Sequence, residues 1–188
     1  MKRLILSLAL VSCSSAVPTA VGGVEKMGAT VLRYRGPEIE LALGYRFATM
    51  SFGDDWLILN VAMTAAAGKV VDVRREGVFL VTPQGQRIPL ASQEEFAEAY
   101  AQLQARLRRA AIASEPLGYF NREQLCGLEF FAPPGEGLAY SQVSLDDRRV
   151  CQGNLFFFVP GGIQPGIWTL GLDLVESRVR LSWRLEAR

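Results

Sequence analysis

The chain has 188 residues, 49% of them hydrophobic and 21% charged, with 20 basic residues against 19 acidic ones. This composition excludes a wholly disordered or collagen-like chain, and the near-zero charge excludes a nucleic-acid binder that works by bulk basicity. There is no histidine, which removes Ser-His and Cys-His dyads and the usual zinc and non-haem iron sites.

The first element is an address. Lys2 and Arg3 precede Leu4 to Val11, a short run in which only Ser7 is polar. Spanning a bilayer takes about 20 apolar residues, so this run fits the core of a secretory signal instead. No later stretch reaches spanning length without charges. An ordinary secretory signal cut after Ala16 would use Ser14 and Ala16 as its small residues.

Leu10-Val11-Ser12-Cys13 resembles the lipobox of bacterial lipoprotein precursors. The resemblance implies cleavage before Cys13 and acylation of its thiol and new amine. Several acyl chains together anchor a protein stably where one does not. In families with two membranes an aspartate after the cysteine often retains the protein on the inner one. Here that residue is Ser14, which favours the outer membrane. Loss of residues 1–12 also removes Lys2 and Arg3, leaving one more acidic than basic residue.

Residues 13–30 then read as a lipid-anchored flexible tether. They are mostly small, with Pro18, Gly22, Gly23 and Gly28. A coil over residues 14–30 spans about 23 Å root-mean-square. Residues 31–188 read as a single domain.

The body opens on alternation with period two. Ile39, Leu41, Leu43, Tyr45 and Phe47 face one way, and Glu38, Glu40, Ala42, Gly44 and Arg46 the other. This predicts a strand with one buried face. Trp56 to Met63 is apolar on both faces apart from Asn60, which predicts a central strand. Val70 to Val73 is a shorter candidate. Val78 to Thr82 and Arg87 to Leu90 flank Pro83-Gln84-Gly85-Gln86, a hairpin with Pro83 at the second and Gly85 at the fourth position of a type I turn.

One helix interrupts the strands, over about residues 92–113. Ser92 and Glu95 form a capping box, and Phe96, Tyr100, Leu103 and Leu107 recur at steps of three or four. Glutamates gather at its start and arginines near its end, as the macrodipole favours. Pro116 and Gly118 stop it. Strands resume at Leu125 to Phe131, Ala139 to Leu145 and Asn154 to Val159. Trp168 to Leu174 and Val179 to Leu185 then alternate cleanly. Short strands, turn residues and the lack of a repeated βα unit point to an antiparallel sandwich, mainly β with one inserted helix. Signal, tether and strand-rich body together resemble the immunoglobulin-like domains of bacterial surface lipoproteins, which implies an immunoglobulin-like sandwich.

Cys126 and Cys151 remain as an even pair wherever the signal is cut. In an oxidising compartment they are expected to form a disulfide, closing a loop of about 26 residues and stabilising by roughly 3.5 kcal/mol in the chain-entropy picture. Buried free thiols are the alternative.

Chemistry is sparse. Asp54-Asp55, Glu94-Glu95 and Asp146-Asp147 are each explained by a turn or a helix start, and adjacent strand residues point to opposite faces. There is no phosphate-binding loop or dinucleotide fingerprint. No catalytic residue, metal ligand or cofactor is expected. Arg178, Arg180 and Arg184 share one face of the last strand. They read either as a solvated, charge-protected edge or as a docking face for an acidic partner. The expected function is a non-enzymatic cell-envelope lipoprotein, a binding or structural module that meets the membrane through its lipid and another envelope component through its body, with no nucleic acid. The alternatives are a periplasmic or surface hydrolase using convergent carboxylates in a cleft, and an accessory subunit of a secretion or pilus assembly.

Overall fold

The computed structural model describes residues 23–113, 120 and 124–186. The signal segment 1–12, Cys13, residues 14–22 of the tether, and the helix-stopping Pro116 and Gly118 lie outside the described residues. Twelve strands and one α-helix are described: β1 (Gly23–Lys26), β2 (Val31–Arg35), β3 (Ile39–Gly44), β4 (Trp56–Ala65), β5 (Val70–Arg74), β6 (Val78–Val81), β7 (Arg87–Pro89), α1 (Gln93–Ala113), β8 (Gln124–Gly127), β9 (Gln142–Asp146), β10 (Arg149–Phe158), β11 (Gly166–Asp173) and β12 (Arg178–Leu185). No described helix is long and apolar enough to cross a membrane.

Six strands form a large sheet in the order β1-β2-β3-β4-β10-β8, and four form a small one in the order β12-β11-β6-β7. Strands β5 and β9 pair as a separate ribbon. The two sheets meet in one apolar core. Leu41 and Leu43 of β3, Leu57 and Leu59 of β4 and Phe157 of β10 pack in the same cluster as Leu80, Trp168, Leu170, Leu181 and Trp183 of the small sheet. Ile39, Leu41, Leu43 and Tyr45 lie inward as alternation selects. The strand expected to run to Phe47 instead ends at Gly44, and Phe47 opens a 3-10 turn and packs with Trp56 and Ile58 on the other face of the sheet.

The strand predicted to be buried on both faces is β4, at the centre of the large sheet. Its second face is covered by α1. Trp56 and Ile58 of β4 and Phe156 of β10 pack with Phe96 and Leu103 of the helix, and with the partly buried Tyr100 and Leu107. The capping box forms in both directions. Ser92 N–H donates to Glu95 Oε2 at 2.7 Å, and Glu95 N–H donates to Ser92 Oγ at 3.1 Å. The helix is therefore fixed at its start and held by its apolar face, the usual source of helix stability in proteins. Farther along, Val31, Ala42, Ala62 and Val150 close the same sheet face with Met27 and Phe120.

The hairpin at residues 82–86 also forms. Gly85 N–H donates to Thr82 O and Thr82 N–H to Gln86 O, each at 2.9 Å. Gly85 sits at φ +82°, a left-handed conformation that favours glycine there.

Other features differ from the sequence reading, among them β10, which begins at Arg149 rather than Asn154. Gly23–Lys26, placed in the tether, is strand β1, paired antiparallel with β2 from Gly23↔Arg35 to Lys26↔Leu32. Neither β1 nor β2 was expected, because β1 is exposed throughout and carries no alternation to read. The antiparallel expectation fails at β8, which runs parallel to β10 with Cys126 opposite Cys151. Strand β8 is also shorter than the predicted run to Phe131. At Leu128 the chain crosses Gly153, where an added Cβ would lie 2.9 Å from the Leu128 Cβ, and Leu128 N–H donates to Gln152 O at 2.8 Å.

Candidate interaction face on the small sheet

The outer face of the small sheet is uncovered among the described residues, and its side chains are set by register. Across β11 and β12 the pairs are Asp173↔Arg178, Gly171↔Arg180, Thr169↔Ser182 and Ile167↔Arg184. Next to Gly171 on its other side lies Phe79 of β6. A side chain at Gly171 would strike the Phe79 ring, 2.3 Å from its Cζ. The glycine thus lets the ring lie flat across the sheet, where two arginines cover it. The Arg87 guanidinium carbon sits 3.3 Å from the ring centroid and that of Arg180 4.7 Å. Both arginines share one carboxylate. Arg180 donates to Asp173 Oδ1 at 2.6 Å and Arg87 to Asp173 Oδ2 at 3.1 Å. Burial raises the Asp173 carboxyl, but the two guanidinium hydrogen bonds and charges outweigh it and hold the carboxyl below the ordinary aspartate value.

The three arginines picked out in the sequence therefore separate into two kinds. Arg180 is half-buried and clamped by Asp173 and Phe79. Arg178 and Arg184 are exposed. With Arg87 the face carries four guanidinium groups, two of them on the Asp173 carboxylate. The sequence signal for Arg178, Arg180 and Arg184 was the alternation of β12. Arg87, Asp173 and Phe79 come from other strands, and only sheet register joins them.

Strand β12 is also the end of its sheet. Leu174 N–H donates to Ser177 O at 2.9 Å across the turn that joins it to β11. Antiparallel pairing alternates hydrogen-bonded and non-bonded pairs. Leu172↔Val179, Leu170↔Leu181 and Trp168↔Trp183 are then the bonded pairs. The N–H and C=O groups of Arg178, Arg180, Ser182 and Arg184 point away from β11, toward the open edge.

Beside the end of this edge lies a groove of about 700 Å³ between the two sheets. Leu32, Tyr45 and Trp183 supply apolar lining, and Lys26, Arg184 and Glu186 supply charge. The Tyr45 and Trp183 rings stack at 5.6 Å, and Tyr45 Oη donates to Ala29 O at 2.9 Å. Burial pushes the Tyr45 phenol up. Trp183 is 4% exposed, and its indole Nε1–H has no hydrogen-bond partner among the described residues.

The acidic pairs are taken up by local structure. Asp54 pairs with Arg106 of α1 at 3.1 Å, and Glu95 closes the capping box. Asp146 accepts from Arg148 N–H and Arg149 N–H and from the Arg149 side chain, and these bonds lower its carboxyl pKa. Asp147 accepts from Gly68 N–H. Among the described residues no group of three or more cysteines, aspartates and glutamates is placed to hold a metal ion.

Two polar residues that the sequence did not flag, the half-buried Arg75 and the buried Glu38, serve the scaffold. Arg75 donates to Ala91 O, Phe130 O and Tyr140 O, and its guanidinium lies 4.7 Å from the Phe131 ring centroid. Burial lowers its pKa from the ordinary arginine value. It ties the loop before β9 to the start of α1. Glu38 accepts from Glu176 N–H and Ser177 Oγ–H and so holds the turn between β11 and β12. Cys126 and Cys151 are joined by a disulfide, with Cα atoms 4.3 Å apart. Comparison with protein-family models, curated proteins and solved structures finds no match.

Proposed function

We propose that this protein is a non-enzymatic cell-envelope lipoprotein whose β-sandwich docks another envelope component. The carrying observation is the small sheet's outer face, where an arginine-lined edge strand with outward-pointing backbone groups borders an apolar groove. A solvated face needs none of these features together. Arginine suits such surfaces because its planar fork binds carboxylates in a fixed geometry.

What supports export is the lipobox-like start together with the Cys126–Cys151 bridge, since disulfides persist in oxidising compartments. The anchor in this reading is the lipid on Cys13, with the outer membrane favoured by Ser14 where there are two membranes. The fold in this reading is an immunoglobulin-like sandwich. Its support is the packing of two sheets on one core. The run β1-β2-β3-β4 and the parallel β8 depart from the usual immunoglobulin strand order.

Two experiments test the reading. Changing Cys13 to serine and fractionating cells should release the protein from detergent-dependent membrane fractions, and unchanged membrane association contradicts the anchor. Purifying the full-length protein from solubilised envelopes should bring down a component that is lost when Arg178 and Arg184 are both changed to glutamate. Unchanged co-purification contradicts docking at this face.

A further inference from the structure

We infer that the occupant of the β12 edge is an extended segment of a partner protein that alternates acidic and apolar residues and adds to the small sheet as a fifth strand. This rests on the docking reading above and gives it a partner chemistry.

The first argument is the edge itself. Strand β12 has eight residues, Arg178–Leu185, and among the described residues no strand on its far side. Four of those residues turn their N–H and C=O groups outward, which is the template that strand addition uses. At the opposite edge, β7 has only three residues and ends in Pro89. Phe79↔Pro89 is a non-bonded pair by the same alternation, since Leu90 N–H donates to Val78 O across the neighbouring pair. Pro89 thus lacks its donor where a further strand would pair, so that edge is blunted and β12 is not.

The second argument is the side-chain code. An added strand alternates its side chains between two faces. On the outer face they meet the row Arg178, Arg180, Ser182 and Arg184. Like charges opposite one another are unfavourable there and opposite charges are favourable, so carboxylates belong on this row. On the inner face, toward the end of β12, they meet the groove lined by Leu32, Tyr45 and Trp183, which takes apolar residues.

The test uses the folded mature protein and a blocked octapeptide of alternating glutamate and valine. Amide hydrogen exchange is read with and without peptide. The amides of Arg178, Arg180, Ser182 and Arg184 should slow, while those of the β7 edge should not. Ser182→Pro deletes one outward N–H without removing a backbone bond within the protein, losing besides it the Ser182–Thr169 hydroxyl hydrogen bond. It should weaken binding about tenfold relative to Ser182→Ala, which loses only that hydroxyl bond. The charge-reversed protein with R178E and R184E should instead prefer a lysine–valine octapeptide, which keeps the test decisive if the proline variant fails to fold. No slowing of the four amides, or equal binding of the two peptides by the parent protein, overturns the inference. If envelope co-purification still depends on Arg178 and Arg184 in that case, docking stands and only strand addition falls. If co-purification does not depend on them, docking itself falls.

Discussion

The two sheets have outer faces of opposite fate. On the large sheet, Trp56, Ile58 and Phe156 point outward and α1 lies over them. On the small sheet the outward row is mostly polar, with Arg87, Thr169, Asp173, Arg180 and Ser182; its Phe79 ring is covered by Arg87 and Arg180, Ile167 is exposed, and no described element lies over the row. The difference follows the balance of side-chain chemistry on each face. Outward aromatic and aliphatic groups gain about 25 cal/mol for each Å² taken from water, so they recruit a covering layer. Outward arginines paired with a carboxylate keep their polar ends hydrated and need no cover. The covered face is therefore scaffold, and the uncovered one is the face to which the proposed docking is assigned.

This contrast can be broken first on the covered side. Leu103 is fully buried under the helix, and Leu103→Ala should cost about 2–5 kcal/mol in chemical denaturation. A small effect there would mean that α1 is not docked. Next is the bridge behind the same sheet. Replacing Cys126 and Cys151 together by alanine should cost roughly 3.5 kcal/mol if the constraint acts on the unfolded chain. Non-reducing peptide mapping of protein taken from cells should find the two residues joined. Arg75→Ala should cost about 1.5–3 kcal/mol, because it strands carbonyls that now accept from a charged donor. Urea midpoints read both effects.

The uncovered side should respond less, and to pH. The Asp173 carboxyl is held below its ordinary value in the folded state. Its contribution is therefore present above the unfolded pKa of about 3.9 and is lost as pH falls through the lower folded value. Asp173 and Arg180 are each about one-third exposed, so the effect is small. The stability difference between the parent and Asp173→Asn should shrink as pH falls below about 4. A difference that stays constant would show that the clamp contributes no ionic stabilisation. Smallest of all, Arg108→Ala on the exposed side of α1 should change stability by less than about 0.5 kcal/mol.

How much of this was legible depends on how local the signal is. The covering of the large sheet could be read because Trp56 to Met63 is apolar on both faces and Phe96, Tyr100, Leu103 and Leu107 share one helical face. The inward rows of β11 and β12 could be read because their alternation is unbroken. The outward row of β12 gave Arg178, Arg180 and Arg184, but not the difference between them. That difference depends on Asp173 and Phe79, which reach Arg180 only through sheet register. The groove was invisible for the same reason. It is formed by Lys26 and Leu32 from one sheet and Trp183 and Arg184 from the other. Strand β1 was missed because Val24, Glu25 and Lys26 are all exposed, so burial left no pattern on them. The parallel course of β8 was missed because direction is set by the connection through β9, not by residues within the strand.

The central claim is that partners meet the molecule on the uncovered face. Its most direct measurement is a photo-crosslinking scan in intact cells, with the reactive residue placed in turn at Thr169, Ser182 and Arg184 on the small sheet and at Gln104 and Arg108 on α1. The account predicts a discrete crosslinked adduct from the small-sheet positions and none from the helix positions. Adducts from the helix alone, or equally from both sets, would contradict it.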